Sequence, residues 1–209
     1  MMELAKAGTI IGDHEFVAYT EDDHQVCIHF RDREDVVCDI LVGADGIRSL
    51  VSKQALGEYE LFHVGLRVWL NWCDPISGLK DHYAALSHSH KYQASYFPML
   101  HDGKPGYEWW VVEPVSENER IPDDPKAYID NILKDFSDPL PRFLDATDFA
   151  TQSFSWNVYN RESLEQWSAG RVVCLGDAVH PVSPYAAYGM GMAIGDGRIH
   201  ESLAEGIAC

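Results

Sequence analysis

The sequence predicts an α/β (α+β) fold in which a strand-rich middle is framed by two turns of one kind. Three observations predict it. "DILVGADGIRS" and "GRVVCLGDAVHPVSPYAAYGMGMAIGDG" each pass from a short apolar run through Gly and Asp toward a helix. Between them, "LFHVGLRVWLNW", "KYQASYFPML" and "GYEWWVVEPV" are strand-like. The stretch "SENERIPDDPKAYIDNILKDFSDPLPRFLDATD" then changes to helical spacing.

Taken in order, the first residues read as a helix end. "EFVAYTEDDHQVCIHFRDREDVVC" alternates apolar and polar residues around an acidic turn near Glu21 to His24, the pattern of antiparallel hairpin strands. "DILVG" is a short apolar run suited to a strand buried on both faces. Ser49 is a candidate helix cap, with Lys53 one turn further on. In the next strand His63, Gly65, Arg67, Trp69 and Asn71 fall on one side, and Val64, Leu66, Val68, Leu70 and Trp72 on the other. The second face is apolar, and the first is expected to receive a ligand. "HDGKPG" predicts a turn between the following strands. Pro125 marks a helix start, with Ile129, Ile132, Leu133 and Phe136 at helical spacing, and a Pro-rich break precedes a shorter helix. "RVVCL" is a last buried strand, and a helix is expected to begin near Met190.

A chain of 209 residues suffices for one domain with an attached lobe. With 46% apolar and 23% charged residues and no long apolar run, it reads as a soluble globular protein. No secretory leader pattern follows the start, so a cytoplasmic address is expected. A formal charge of −17 argues against nucleic acid and anionic membranes as partners, since both would be repelled. The five cysteines, Cys27, Cys38, Cys73, Cys174 and Cys209, are far apart, lack CxxC spacing and read as reduced thiols. His82, His88 and His90 are close in sequence, but zinc would need a carboxylate to join them. They read as solvated loop histidines, and no metal site is expected.

The Gly-rich helix start after "RVVCLGD" has a direct physical use. A helix start offers unpaired N–H groups and partial positive charge, and glycines let a polarised carbonyl or an anion approach. Asp177, at the strand end, can accept hydrogen bonds from sugar-like hydroxyls. The segment suits a polyol or an electron-rich ring edge better than a metal. Taken alone, each turn also reads as an ordinary strand-to-helix connection with Asp as its cap.

"DILVGADGIRS", "NRESLEQWSAGR" and "GRVVCLGDAVHPVSPYAAYGMGMAIGD" together resemble the flavin-dependent aromatic hydroxylases, the single-component FAD monooxygenases related to para-hydroxybenzoate and salicylate hydroxylases. The resemblance covers most of the chain and implies an incomplete FAD/NAD(P)-binding Rossmann-like flavoprotein fold. Residues 1–57 and 154–209 would be the remnant of the FAD-binding domain, and 58–153 a substrate lobe with a mixed β-sheet and helices. It also implies that Gly176 and Asp177 form the turn that meets the ribityl chain of FAD and that Pro184 lies by the isoalloxazine. Gly189, Met190 and Gly191 would present N–H groups to the pyrimidine edge of that ring. Asp45 and Gly46 would lie near the pyrophosphate and the path of the donor, NADPH.

The sequence departs from that family in having no GxGxxG turn, the element that cradles the pyrophosphate and adenosine. Ala187 and Gly195 replace a usual Gly and a usual acid, and Lys53 replaces a usual Arg. Truncation at both ends relative to the family is expected. Losing several charge-assisted bonds, at roughly 1.5 to 3 kcal/mol each, would leave the chain alone with weak or no FAD binding.

The functional expectation is an FAD-dependent monooxygenase acting on an aromatic or polyketide-like small molecule, completed by a homodimer or a complementing chain. The alternative is a cofactor-independent isomerase, cyclase or ligand-binding protein on the same scaffold. Substrate contacts fall to Arg67, Trp69, Tyr96 and Glu108, and candidate catalytic groups are Arg67, Tyr96 and His180. Core filling by Trp69, ion pairing of Arg67 and bracing of the turn by His180 are the structural alternatives.

Overall fold

The computed structural model describes residues 6, 8–80, 82–183 and 188–207, with side chains in the last helix as far as Arg198. The expected N-terminal helix end falls largely on residues 1–5 and 7, outside the described residues. In chain order the elements are β1 (Phe16–Glu21), β2 (Val26–Phe30), β3 (Val36–Cys38), β4 (Leu41–Gly43) and α1 (Leu50–Leu56). Then come β5 (Phe62–Cys73), β6 (Ala85–His88), β7 (Gln93–His101), β8 (Lys104–Pro114), α2 (Pro125–Leu133) and α3 (Leu140–Ala146). The last are β9 (Ser153–Asn160), β10 (Ser168–Ala169), β11 (Val172–Cys174), a 3-10 turn over Gly176–Ala178, and α4 (Gly189–Ile207). These mixed α/β elements form two compact units, residues 1–62 with 160–209, and residues 63–159.

In the first unit, β1, β2 and β3 form an antiparallel sheet in that order. The acidic turn works through one side chain: Asp22 Oδ1 accepts the His24 and Gln25 N–H groups at 2.7 and 2.9 Å. A second sheet has the order β10-β11-β4, and β11 runs parallel to β4. Its core joins Val26, Leu41, Val51, Val172 and Cys174. Burying each such aliphatic side chain contributes roughly 1.5 to 3 kcal/mol before entropy is counted.

The expectation that "DILVG" is buried on both faces is corrected here, because Val42 is 49% exposed while its neighbour Leu41 is 8%. Only one side of this short sheet carries the core. Gly43 is the point of closest packing. A Cβ there would lie 2.7 Å from Val51 Cγ1 and 2.9 Å from Cys174 Sγ, so α1 and β11 close on bare backbone.

The second unit is a sheet of order β6-β7-β8-β5-β9, with β6, β7, β8 and β5 paired antiparallel. Helices α2 and α3 cover one face, where Ile129, Ile132, Leu133, Leu140 and Phe143 pack on Trp69, Tyr96, Trp109 and Val111. Asp124 caps α2 by accepting the Ala127 N–H at 3.0 Å, and Pro125 occupies the first turn as its spacing predicts. His88 lies in β6 rather than in a loop. Among the described residues no helix is long and apolar enough to cross a membrane.

Candidate functional site

The two aspartate turns of the first unit leave adjacent strands at the same end. Val173 pairs with Val42 and Cys174 with Gly43 in parallel register, and the Leu175 N–H donates to the Gly43 carbonyl at 3.0 Å. Both strands therefore deliver their turns at their carboxyl ends, where open parallel sheets bind ligands.

The two carboxylates meet different surroundings. Asp45 is turned onto α1: Ser49 Oγ donates to its Oδ1 at 2.5 Å, and the Leu50 and Val51 N–H groups donate to its Oδ2 at 2.8 and 3.3 Å. Ser49 Oγ in turn accepts the Ser52 N–H at 2.8 Å, as a helix cap does. Gly46 carries the chain through φ +81°, a left-handed angle that favours glycine. Asp177 is exposed, and its carboxylate has no hydrogen-bond partner among the described residues. A Cβ on Gly189 would stand 3.8 Å from Asp177 Oδ1, so the free carboxylate lies beside the first residue of α4.

That helix begins Gly189, Met190, Gly191, and the N–H groups of a first turn have no acceptor inside their own helix. Met190 is 72% exposed, and among the described residues a Cβ on Gly191 would meet nothing within 4 Å. Pro184 and Ala187 lie outside the described residues.

Three polar side chains, Asp196 and the buried His180 and Arg161, hold the turn in place. Asp196 on α4 accepts the Gly176 N–H at 2.9 Å, and its Oδ2 lies 2.6 Å from His180 Nε2. His180 is 6% exposed, and the Trp167 ring packs against it at 4.8 Å. It thus sits inside the fold, tying the turn to α4. Arg161, 3% exposed, lies 3.9 Å over the Tyr59 ring and donates from Nη2 to the Ala178 carbonyl. Burial lowers its pKa, and its Nε and Nη1 have no partner among the described residues. Reading for the Gly and Asp turns alone missed Arg161 and Asp196. "NRESL" and the last acid of "GMGMAIGD" were the available signals.

In the second unit the ligand face predicted from alternation is corrected. Arg67, Trp69 and Tyr96 are 1%, 2% and 4% exposed, on the face that the helices cover. Arg67 Nη1 lies 3.6 Å from Glu113 Oε1, which also accepts Trp69 Nε1–H at 2.7 Å, and the Tyr128 hydroxyl donates to Glu113 Oε2. Arg67 further donates to the Glu119 carbonyl at 2.5 Å and to Asn157 Oδ1 at 3.2 Å. Tyr96 packs on Phe143 with ring centroids 4.8 Å apart. These groups satisfy one another in the interior.

Glu108, the other expected substrate residue, lies on the opposite face. Register sets it between Trp72 and Phe97, and sets Trp110 between Leu70 and Ser95, with Gln93 beside Val112. Among the described residues, Gln93 Oε1, Ser95 Oγ and Trp110 Nε1 are buried without hydrogen-bond partners. Burial also pushes the Glu108 carboxyl above its ordinary range. One sheet face thus gathers a carboxyl whose pKa burial raises, with two donors and an acceptor that have no partner among the described residues, set among aromatic rings. Unpaired buried polar groups are costly, and a polar ligand relieves that cost.

A family model described as FAD binding domain matches residues 1–206. Aurachin C monooxygenase/isomerase of Stigmatella aurantiaca is 28% identical over 196 residues, covering 90% of this chain and 49% of that protein. The 6-hydroxynicotinate 3-monooxygenase of Pseudomonas fluorescens is 28% identical over 195 residues, covering 88% of this chain and 49% of that protein. The chain thus spans about half the length of these relatives. In structure it is similar to Klebsiella pneumoniae HpxO complexed with FAD and uric acid, with TM-score 0.77, 19% identity, and coverage of 86% of this chain and 46% of that one.

Proposed function

The chain belongs to the FAD binding domain family, and from that footing we propose that its first unit holds the flavin end of FAD in a monooxygenase of small aromatic compounds. The observation that carries this reading is the unpartnered Asp177 carboxylate beside the start of α4, at the carboxyl end of two parallel strands. Asp177 would accept hydrogen bonds from ribityl hydroxyls, and the Gly189, Met190 and Gly191 N–H groups would donate to the carbonyl edge of the ring. The free carboxylate and open glycine turn fit that half of the cofactor. Asp45 already uses its oxygens to cap α1, so its part is to hold the Gly46 turn toward the pyrophosphate side. Bound FAD, reduced by NADPH, would supply the oxygen-activating chemistry.

The Glu108 face would take the substrate. Ser95 Oγ and Trp110 Nε1 can donate to a phenol or ring carbonyl oxygen, Gln93 Oε1 can accept, and the neighbouring rings supply stacking, with the Glu108 carboxyl, its pKa raised by burial, beside them. The 6-hydroxynicotinate relative bears a name that fits a hydroxylated ring. Without a GxGxxG turn among these residues, FAD would be held weakly by them alone.

The test is a titration of the purified chain with FAD, followed by NADPH consumption with and without hydroxylated aromatic acids. Flavin binding together with phenol-stimulated NADPH consumption is expected, and absence of any flavin interaction would end this reading. The raised Glu108 carboxyl also favours a second reading, acid–base isomerisation without flavin. Turnover of a ligand by flavin-free protein would select it.

A further inference from the structure

Cys27 and His29 stand two residues apart on β2, on the face opposite the buried Val26 and Ile28. Asp35, just before β3, reaches the same spot. Cys27 pairs with Val37 and Ile28 with Val36, which carries Asp35 to the level of His29. His29 Nδ1 lies 3.0 Å from Asp35 Oδ2, Cys27 Sγ lies 3.9 Å from the same oxygen, and the ligand atoms of all three residues fall within 4.8 Å of one another. We propose that Cys27, His29 and Asp35 form a zinc-binding site, with water as the fourth ligand.

Ligand type and geometry both carry this. Thiolate, imidazole and carboxylate are the zinc ligand set. Tetrahedral zinc at ordinary bond lengths separates a nitrogen and an oxygen ligand by about 3.3 Å, and a sulfur and an oxygen ligand by about 3.6 Å. The observed 3.0 and 3.9 Å lie within a few tenths of an ångström of these values, and the sulfur–nitrogen separation is no more than 4.8 Å. The other ring nitrogen of His29 is already placed for its part, since Nε2 lies 3.4 Å from Thr20 Oγ1. A zinc-bound histidine ordinarily gives its second N–H to such a partner, which fixes ring orientation. The side chains of His29 and Asp35 are 33% and 53% exposed, so the ion has a path in. On binding, the Cys27 thiol proton passes to solvent and the S–Zn bond replaces the S–H bond. The ion would join β2 to the segment entering β3. His82, His88 and His90, the cluster visible in the sequence, are not part of this group.

The test uses the purified chain freed of metal by a chelator and titrated with zinc chloride against a chromophoric competitor. One zinc per chain is expected. Cys27→Ser and Asp35→Asn should each weaken binding by more than the roughly 10- to 100-fold that loss of an outer-shell partner costs. Cys38→Ser should bind as the parent does. Cobalt should give a thiolate charge-transfer absorption in the parent that is missing in Cys27→Ser, with circular dichroism showing that both are folded. No binding by the parent, or equal zinc affinity and equal cobalt spectra in the parent and Cys27→Ser, would overturn the assignment.

Discussion

Asp45 and Asp177 follow neighbouring parallel strands, yet one spends its oxygens on α1 and the other keeps them free. On the proposed reading, that difference makes Asp177 the residue on which flavin contact would turn. Asp177→Ala should weaken flavin binding roughly ten- to hundredfold, because a hydrogen bond to a charged group contributes about 1.5 to 3 kcal/mol. Fluorescence titration measures it, with circular dichroism to show an unchanged fold. Glu108 gives a pH prediction with a definite sign. Burial raises its folded pKa above the unfolded value, so its contribution is complete below the unfolded pKa of about 4 and is lost as pH rises through the folded value. Glu108→Gln should therefore raise the melting temperature at pH 7 and leave it nearly unchanged near pH 4. A gain of equal size at both pH values would contradict this.

Among the elements, legibility followed locality. The Asp22 turn, the Ser49 cap, the Pro125 helix start and the start of α4 all rest on a few adjacent residues, and each stands where its pattern placed it. Alternation along β5 gave two faces but not the one that helices cover. That choice depends on Glu113 of β8, which register sets opposite Arg67 across a long sequence gap. An arginine on a strand resembles a ligand contact until its buried carboxylate is found. The Cys27, His29 and Asp35 group was hidden for the same reason, since the β2–β3 pairing assembles it. The Glu113 network yields an element-scale prediction. Glu113→Ala would leave the Arg67 guanidinium buried at 1% exposure without its carboxylate. It should cost about 3 to 5 kcal/mol in urea unfolding, far more than an exposed carboxylate removed from β1.

At the scale of the whole molecule, β4 ends its sheet, and among the described residues no strand pairs with its outer edge. Val42, 49% exposed, lies on that strand, and open edges of this kind attract further strands. We expect another segment, from a longer chain or a second copy, to pair there. Apparent mass in sedimentation should rise with concentration, and Val42→Lys should suppress the rise. A concentration-independent monomer would count against it.

The central claim is that the Gly176–Asp177 turn and the start of α4 grip the flavin end of the cofactor while these residues give little to the adenosine end. Comparing the dissociation constants of riboflavin and FAD for the purified chain tests this most directly. The two should agree within about tenfold, a difference of some 1.4 kcal/mol, and both should weaken in Asp177→Ala. FAD binding that is thousands of times tighter than riboflavin binding, or equal binding by the parent and Asp177→Ala, would contradict it.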